Sequence, residues 1–305
     1  MRVHVLGSAA GGGFPQWNCN CRNCDGLRRG TLKTRRRTQS SIALSDDGQR
    51  WLLCNASPDI LQQLQSFPAL QPARALRDTA IAGVLLIDAQ IDHSTGLYML
   101  REHRGPLKLW CTTPVYEDLT RGNPILDLLK HYCGIERHDI PLDARPFDVA
   151  AVPGLQFTAI PLRSNAPPYS PHRDRPVPGD NIGLLVRSRD SGRRLFYAPG
   201  LGEMEPAVWD AMRSADVVLV DGTCWRDDEL VALGASRKTA RDMGHLPQQG
   251  EGGMLEHLAR LPAQTRRILI HINNTNPVLD EDGAEYAQLR AAGVELAWDG
   301  MEIEL

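Results

Sequence analysis

The sequence predicts an α/β fold in which helices cover sheets of strands. Its 305 residues contain about eleven short apolar runs separated by turn residues, and about six helix-like stretches lie between these runs. Several runs are apolar at consecutive positions, which is typical of strands that are covered on both faces of a sheet. Strands interleaved with helices in this way favour a layered α/β architecture. No linker-like segment divides the chain, so we predict a single domain over residues 1–305.

The predicted elements follow one another along the whole chain. The strands cover residues 3–6, 41–44, 51–54, 83–87, 108–111, 155–160, 183–186, 194–197, 217–221, 267–271 and 294–297. The helices cover residues 57–65, 94–101, 124–132, 206–213, 250–261 and 280–291. Pro124 and Pro206 support two of these helix starts, because proline fits the first turn of a helix. The proline-rich stretch 167–178 has strands on both sides, and we predict that it is a long surface loop or lid.

Charge and hydropathy argue against several classes of protein. The chain has 34 basic and 37 acidic residues and a net charge of −3, which gives no electrostatic reason to expect nucleic acid or an anionic membrane as a partner. The basic run 33–37 is short and is predicted to be a solvated loop. The apolar runs are strand-sized, well below the roughly 20 residues of a membrane-spanning helix. No apolar signal core precedes the first strand, so we expect a cytoplasmic protein with reduced cysteines.

Three cysteines, Cys19, Cys21 and Cys24, lie within six residues of one another. A turn can bring three thiolates close enough to share one Zn²⁺, at about 2.3 Å each. A reducing compartment disfavours a disulfide, and a redox pair needs only two of the three thiols. We therefore predict a structural zinc site, whose fourth ligand the local sequence does not supply. The other cysteines are predicted to be core residues: Cys54, Cys111, Cys133 and Cys224.

Polar side chains follow several of the apolar strands. Asp92 and His93 come after the fourth predicted strand, at a turn into a helix where two adjacent side chains can face one metal; an ordinary helix N-cap is the alternative. His271 ends the tenth predicted strand, where a core histidine bonded to the backbone is the alternative to a ligand. Asp221 and His245 are weaker cases of the same kind.

In their order along the chain, these signals resemble the metallo-β-lactamase superfamily. Within it, the chain is most similar to the coenzyme PQQ (pyrroloquinoline quinone) biosynthesis protein B family. The resemblance covers essentially the whole chain and lies in the segments 6–19, 88–96, 243–247, 271–277 and 298–303. It implies a four-layer αβ/βα sandwich with a metal site at one edge of the sheets.

The chain departs from the hydrolytic members of that superfamily at the metal-binding positions. Those members carry His-x-His-x-Asp-His, whereas Asp88 and Gln90 replace the two leading histidines here. Ser164 stands where a further histidine is expected, and residues 197–200 contain no carboxylate to bridge two metals. The late histidine is kept as His271.

One carboxylate and two imidazoles remain, from Asp92, His93 and His271. Their number disfavours a two-metal hydrolytic centre, which activates a bridging water. An acid and two histidines with open positions are the ligand set of mononuclear non-haem Fe(II) oxygenases. Together with the resemblance, this set implies an Fe²⁺- and O₂-dependent hydroxylation. The substrate implied by the family is a tyrosine-derived PQQ precursor made from a cross-linked glutamate–tyrosine pair.

The resemblance also suggests roles for the residues around the metal. We predict that Asp88, Gln90 and Ser164 line the substrate pocket, orient the ligands or carry protons. Asp221 and His245 are predicted to be catalytic, with neutral His245 as the base near the ring hydroxyl of the substrate. The proline-rich loop is predicted to cover the substrate.

The resemblance bears on the cysteines as well. Related hydrolases complete their three-cysteine zinc site with a histidine shortly after the late metal histidine, and this chain has Asn274 there. We predict zinc, with Asn274, a water or another side chain as the fourth ligand.

Two other functions remain open. A carrier that binds PQQ or its precursor and assists its passage toward the periplasm would also lack the hydrolytic ligands. A metal-dependent hydrolase, such as a phosphodiesterase or lactonase, would need the histidines that are missing. The predicted partners are the small-molecule precursor, O₂ and other PQQ biosynthesis proteins.

Overall fold

The computed structural model describes all residues, 1–305. Its strands are β1 (Arg2–Gly7), β2 (Ser41–Ser45), β3 (Trp51–Cys54), β4 (Ile81–Leu85), β5 (Leu107–Cys111), β6 (Ile135–Asp139), β7 (Phe147–Asp148), β8 (Leu155–Pro161), β9 (Ile182–Ser188), β10 (Arg194–Ala198), β11 (Val217–Asp221), β12 (Arg266–Ile270), β13 (Val294–Leu296) and β14 (Glu302–Glu304). Its α-helices are α1 (Arg22–Arg29), α2 (Ile60–Ser66), α3 (Ile91–Ser94), α4 (Thr113–Glu117), α5 (Ile125–Leu129), α6 (Pro206–Ser214), α7 (Glu229–Ala232), α8 (Met254–Ala259) and α9 (Ala284–Ala291). Short 3₁₀ turns cover Pro68–Leu70, Thr95–Leu100, Arg241–Met243 and Pro277–Leu279, and a π-helical turn covers Asp118–Gly122.

The strands form two mixed sheets of seven strands each. The first has the order β14-β1-β2-β3-β4-β5-β6 and the second the order β13-β12-β11-β10-β9-β8-β7. Neighbouring strands are parallel from β3 to β6 and again from β10 to β13. Parallel neighbours need crossover connections, and most of the helices lie in these connections.

Alternating side chains place three apolar layers in the molecule. In β11, Val217 and Leu219 belong to the core between the two sheets, while Val218 and Val220 belong to the core under the outer helices. Met212 of α6 and Leu258 of α8 pack in that same outer core. A third core lies under the helices on the other side, around β3, β4 and β5. Two sheets with helices outside each confirm the predicted four-layer αβ/βα sandwich.

One edge of this sandwich collects the polar side chains. Because β11 and β12 are parallel neighbours, the residues that follow both strands meet at the same edge. The loop after β1 reaches this edge through the bridge between Ala9 and Ile272. The bridge between Asp88 and Asn181 joins the segment after β4 to the start of β9.

All eleven predicted strands are present, whereas three strands and three helices, α1, α4 and α7, were missed. Strands β6, β7 and β14 lack an apolar run because β6 and β14 are polar sheet edges and β7 is two residues long. Helix α1 was predicted as a turn, since its sequence contains Gly26 and few apolar residues. The predicted helix over 250–261 shortens to α8, because Gly250, Gly252 and Gly253 stay outside it.

The basic run is only partly solvated. Lys33, Arg35 and Arg36 are exposed, but Arg37 is 5% exposed and donates to the Ser8 hydroxyl and the Ala297 carbonyl. The prediction of a solvated loop is therefore wrong for Arg37. Its guanidinium ties the loop after β1 to the segment after β13.

The proline-rich stretch 167–178 contains no helix or strand, as predicted for a loop. Its first half is anchored, because the Tyr169 hydroxyl donates to the Ala89 carbonyl and the Ser170 hydroxyl donates to Asp118. Residues 174–178 are exposed. None of the helices has the length and apolar character needed to cross a membrane.

Candidate metal centres

Three side chains from two distant parts of the sequence meet at the polar edge. Asp92 and His93 lie in α3, shortly after β4, and His271 follows β12 directly. The Asp92 Oδ2 lies 3.2 Å from His271 Nε2 and 3.8 Å from His93 Nε2. One ligand atom of each residue lies within 4.8 Å of the others. These three residues are called the Asp–His–His cluster below.

The ring of His93 is held so that one nitrogen faces the cluster. Its Nδ1 lies 2.8 and 2.9 Å from the two carboxylate oxygens of Asp88, which is 3% exposed. The opposite nitrogen, Nε2, is buried and has no hydrogen-bond partner in the protein. A buried ring nitrogen without a partner, aimed at a carboxylate and a second imidazole, fits a metal cation.

A second group of polar residues lies directly beside this cluster. Asp221, which ends β11, places its Oδ2 2.7 Å from His245 Nδ1. The rings of His245 and His271 stack with their centroids 5.2 Å apart. Asp221, His245 and His271 thus form another group whose ligand atoms lie within 4.8 Å of one another.

Asp221 has no lone pair left for a metal. Its Oδ1 accepts from the Thr223 backbone N–H and hydroxyl, and its Oδ2 accepts from the Leu201 N–H and His245. A carboxylate has about four acceptor positions, and these four contacts use them. The Asp–His–His cluster is therefore the better place for a cation, and Asp221 with His245 forms a hydrogen-bonded pair beside it.

Within each of the two groups, carboxylates and imidazoles shift each other's pKa. Burial lowers the pKa of His93, but the carboxylates of Asp88 and Asp92 raise it by more, to about 9. Burial raises the pKa of Asp92, but the charge of His93 and the hydrogen bond with His271 lower it by more, well below its usual range. The same balance between burial and the partner's charge lowers the pKa of Asp221 and raises that of His245. A cation in the cluster would take the place of the His93 proton.

A cavity of about 210 Å³ opens onto these residues. Gln90 and Ser164 line it, although each also bonds to the protein: Gln90 Nε2 donates to the Asn165 carbonyl at 3.1 Å, and Ser164 Oγ donates to the Gly244 carbonyl at 3.0 Å. Ser164 also lines a neighbouring cavity of about 660 Å³, whose rim includes residues 176–178 of the proline-rich loop. Ser164 is thus the residue that the two cavities share.

The structure separates the predicted pocket residues by what they contact. Asp88 also lines the cavity, but its carboxylate contacts His93 Nδ1 and is placed to orient that ring. Gln90, Ser164 and His245 present polar atoms to the cavity. Thr223, whose hydroxyl lies 2.8 Å from His271 Nδ1, was not predicted as a site residue. Its position two residues after the end of an apolar strand was the one available signal.

The three N-terminal cysteines converge as predicted. The sulfurs of Cys19, Cys21 and Cys24 lie within 4.8 Å of one another, and no cysteine of the chain forms a disulfide. Cys21 precedes α1 as its N-cap and Cys24 lies in its first turn. The Asn274 side-chain amide faces this group, with Nδ2 3.3 Å from Cys24 Sγ and 3.6 Å from Cys21 Sγ. The group is called the cysteine cluster below.

The thiols of the cysteine cluster differ in acidity. Burial raises the pKa of Cys21 to about 11. Burial also acts to raise the pKa of Cys19, but the backbone N–H of Cys21 and neighbouring side chains lower it below the usual value. Three close thiols fit three positions of a tetrahedral ion such as Zn²⁺, while the Asn274 atom that faces them, Nδ2, donates hydrogen bonds and is not a metal ligand. Cys54, Cys111 and Cys224 are buried as predicted, whereas Cys133 is only half-buried.

Comparisons with known proteins agree with this architecture. A model of the beta-lactamase superfamily domain matches residues 50–272. The coenzyme PQQ synthesis protein B of Azoarcus sp. (strain BH72) is 69% identical over 305 residues, and that of Pseudomonas aeruginosa (strain UCBPP-PA14) is 61% identical over 306 residues; both alignments cover 100% of each chain. The crystal structure of Zn²⁺-bound PqqB from Methylobacterium extorquens superposes with a TM-score of 0.92 at 39% identity, covering 100% of both chains.

Proposed function

Because the chain belongs to the coenzyme PQQ synthesis protein B family of the β-lactamase superfamily, we propose that it is an Fe²⁺- and O₂-dependent hydroxylase of PQQ biosynthesis. The observation that carries the proposal is the Asp–His–His cluster, in which one carboxylate and two imidazoles converge on one side of a cavity. This donor set leaves open positions on a metal and is the one that mononuclear iron oxygenases use.

The surroundings of the cluster support one metal rather than two. Asp88 and Gln90 occupy the positions of the missing histidines, and both are bonded within the protein. Asp221 is saturated by four hydrogen bonds. A hydrolytic pair of metals therefore lacks ligands for its second ion, and a single ion with open positions fits the residues present.

The bound iron would supply the activation of O₂, and the side chains of the chain would do the rest. In the hydroxylation, one oxygen atom enters a ring C–H bond of the substrate. The other atom leaves as water, with two protons and two electrons from an external reductant. Asp92, His93 and His271 hold the ion, and Asp88 holds the ring of His93. His245, with Asp221 on its Nδ1, has its Nε2 free to exchange a proton with the substrate ring hydroxyl.

The substrate we propose is a tyrosine-derived precursor of PQQ. Its reacting ring would enter the cavity beside His245 and Gln90, and the rest would extend past Ser164 toward the loop 167–178. The cysteine cluster would hold a structural Zn²⁺, with Asn274 on its fourth side. That role is consistent with the zinc in the Methylobacterium extorquens structure.

Anaerobic reconstitution with Fe²⁺ tests the proposal. We expect about one iron per chain beside the zinc, and uptake of O₂ when a tyrosine-derived precursor and ascorbate are added. His93→Ala should lose the iron and the O₂ uptake. His138→Ala is the matched control, because His138 stacks on Trp110 away from both clusters. O₂ uptake that survives in His93→Ala contradicts the iron site. Tight precursor binding without turnover at full iron loading favours the carrier instead.

A further inference from the structure

One threonine hydroxyl connects the Asp221–His245 pair to the Asp–His–His cluster. Thr223 is 4% exposed and follows β11 by two residues. Its Oγ1 lies 2.7 Å from Asp221 Oδ1, 3.1 Å from His245 Nδ1 and 2.8 Å from His271 Nδ1. It also lies 3.0 Å from the backbone carbonyl of His271.

The chemistry of these four neighbours fixes where the protons lie. A hydroxyl has one hydrogen to donate and two lone pairs that accept. The Asp221 carboxylate and the His271 carbonyl can only accept, and the single hydrogen of Thr223 goes to Asp221 Oδ1, the nearer of the two at 2.7 Å against 3.0 Å. The hydroxyl oxygen must then accept from the nearby ring nitrogen of His271, because two lone pairs would otherwise face each other at 2.8 Å. The Nδ1 of His271 therefore carries a hydrogen.

A hydrogen on Nδ1 determines what the other nitrogen of His271 can do. With Nδ1 protonated and donating to Thr223, the lone pair of a neutral ring lies on Nε2. This nitrogen lies 3.2 Å from Asp92 Oδ2, so two acceptors face each other there and would need a cation between them. Thr223 thus presents His271 in the tautomer that a metal needs, as Asp88 does for His93.

The backbone of His271 needs support at the same place. Its φ is 62°, in the left-handed region that strains a non-glycine residue. The Thr223 hydroxyl contacts the His271 carbonyl, and the Asn273 N–H donates to the Thr223 carbonyl at 3.1 Å. Thr223 therefore contacts both the ring and the strained backbone of this residue.

We propose that Thr223 is a positioning residue for the metal, which fixes the ring and tautomer of His271 and couples it to the Asp221–His245 pair. This inference rests on the proposed metal site, but it does not depend on hydroxylation being the reaction. The inference predicts that loss of the Thr223 hydroxyl weakens metal binding by the Asp–His–His cluster, although Thr223 is not a ligand of the metal.

Two substitutions separate the hydroxyl from the shape of the side chain. Thr223→Val keeps the branched shape and removes the hydroxyl, whereas Thr223→Ser keeps the hydroxyl and removes a methyl group. We would titrate protein that holds Zn²⁺ only in the cysteine cluster with Mn²⁺, a metal that prefers carboxylate ligands to thiolates. Free Mn²⁺ is followed by electron paramagnetic resonance. Thr223→Val should bind Mn²⁺ about 10- to 100-fold more weakly, and Thr223→Ser should stay close to the wild type.

A spectroscopic measurement distinguishes positioning from a general loss of structure. In ¹⁵N-histidine-labelled protein with Zn²⁺ in both sites, the His271 Nδ1–H should give a slowly exchanging ring proton in the wild type and in Thr223→Ser. This signal should be lost in Thr223→Val. If Thr223→Val does not fold, Thr223→Ala provides the same comparison.

The outcomes are distinguishable from those of the proposed function. Wild-type Mn²⁺ affinity in folded Thr223→Val, or a protected Nδ1–H that survives the substitution, overturns the inference. If the wild type shows no hydroxylation but Thr223→Val still weakens Mn²⁺ binding, the reaction proposed above fails and the role of Thr223 stands.

Discussion

The Asp–His–His cluster and the cysteine cluster lie at the two ends of one short segment, yet their chemistry differs. His271 at its start belongs to the first cluster, and Asn274 three residues later faces the second. The first offers hard oxygen and borderline nitrogen ligands on the wall of a cavity. The second offers three soft sulfurs, with the amide of Asn274 on the remaining side.

The difference shows how one segment can serve two purposes. A site whose sides are all occupied by protein can hold a metal for stability, whereas a reacting metal needs a side that faces a cavity. The Asn274 end of the segment is fixed by a side-chain amide of the helix that carries Cys24, since Asn23 Nδ2 donates to the carbonyls of Asn274 and Asn276 at 3.1 and 2.9 Å. The cysteine cluster thus helps to place the strand end that carries His271.

The largest expected effect is a separation of the two sites by single substitutions. Asp92→Asn should weaken Mn²⁺ binding by more than about 100-fold. Loss of a residue that only hydrogen-bonds to a ligand already lowers metal affinity about 10- to 100-fold, and Asp92 is itself a ligand. Its zinc content should stay at the wild-type level. Cys24→Ser should lose zinc and melt at a lower temperature, because the binding energy of a structural zinc is folding energy.

Metal analysis, Mn²⁺ titration and thermal melting of both variants check this separation. Cys133→Ser is the control for Cys24→Ser, because Cys133 lies outside the cluster and is half-buried. Loss of both metals in both variants would show that the two sites form one cooperative unit.

The sequence predicted the members of both clusters better than it predicted how they are held. Asp92, His93 and His271 follow apolar strands, and that pattern marks the edge of a sheet where polar side chains gather. The pairing of β11 with β12, which brings Asp221 beside His271, is not contained in either strand's own sequence. Thr223 was not predicted, because its position two residues after an apolar strand is too weak a signal without the contacts that the fold provides.

Elsewhere, tertiary contacts overrode the local pattern. Arg37 belongs to a basic run, but its burial depends on the carbonyl of Ala297, 260 residues away along the chain. His271 adopts a positive φ that no local rule predicts for histidine. The fold class, in contrast, depends on many strands at once, so the missed edge strands β6, β7 and β14 did not alter it.

A substitution behind the metal ligands should have an intermediate effect. Asp88→Asn keeps the size of the side chain but removes the charge that faces His93 Nδ1. We expect Mn²⁺ affinity to fall about 10-fold, at the lower end of the range for such partners, because the amide oxygen can still accept from the ring. Zinc content should not change. Asp118→Asn is the control, since Asp118 is equally buried but contacts Ser170 instead of a ligand. Equal losses of Mn²⁺ affinity in the two variants would contradict a specific role for Asp88.

Asp118 also supplies the smallest expected effect, because its buried charge lacks the direct histidine partner that Asp88 has. Burial raises its pKa to about 6, although the Ser170 hydroxyl acts to lower it. Its Oδ2 has no hydrogen-bond partner. A folded-state pKa above the ordinary value of 3.8 means that the native state favours the protonated acid. The wild type therefore loses stability relative to Asp118→Asn as pH rises from about 4 to 6, and the difference stays constant above that range. In thermal melts, the Tm of the variant minus that of the wild type should be a few degrees larger at pH 7.5 than at pH 4. A difference in Tm that does not change with pH would place the ionised carboxylate in water rather than in the protein interior.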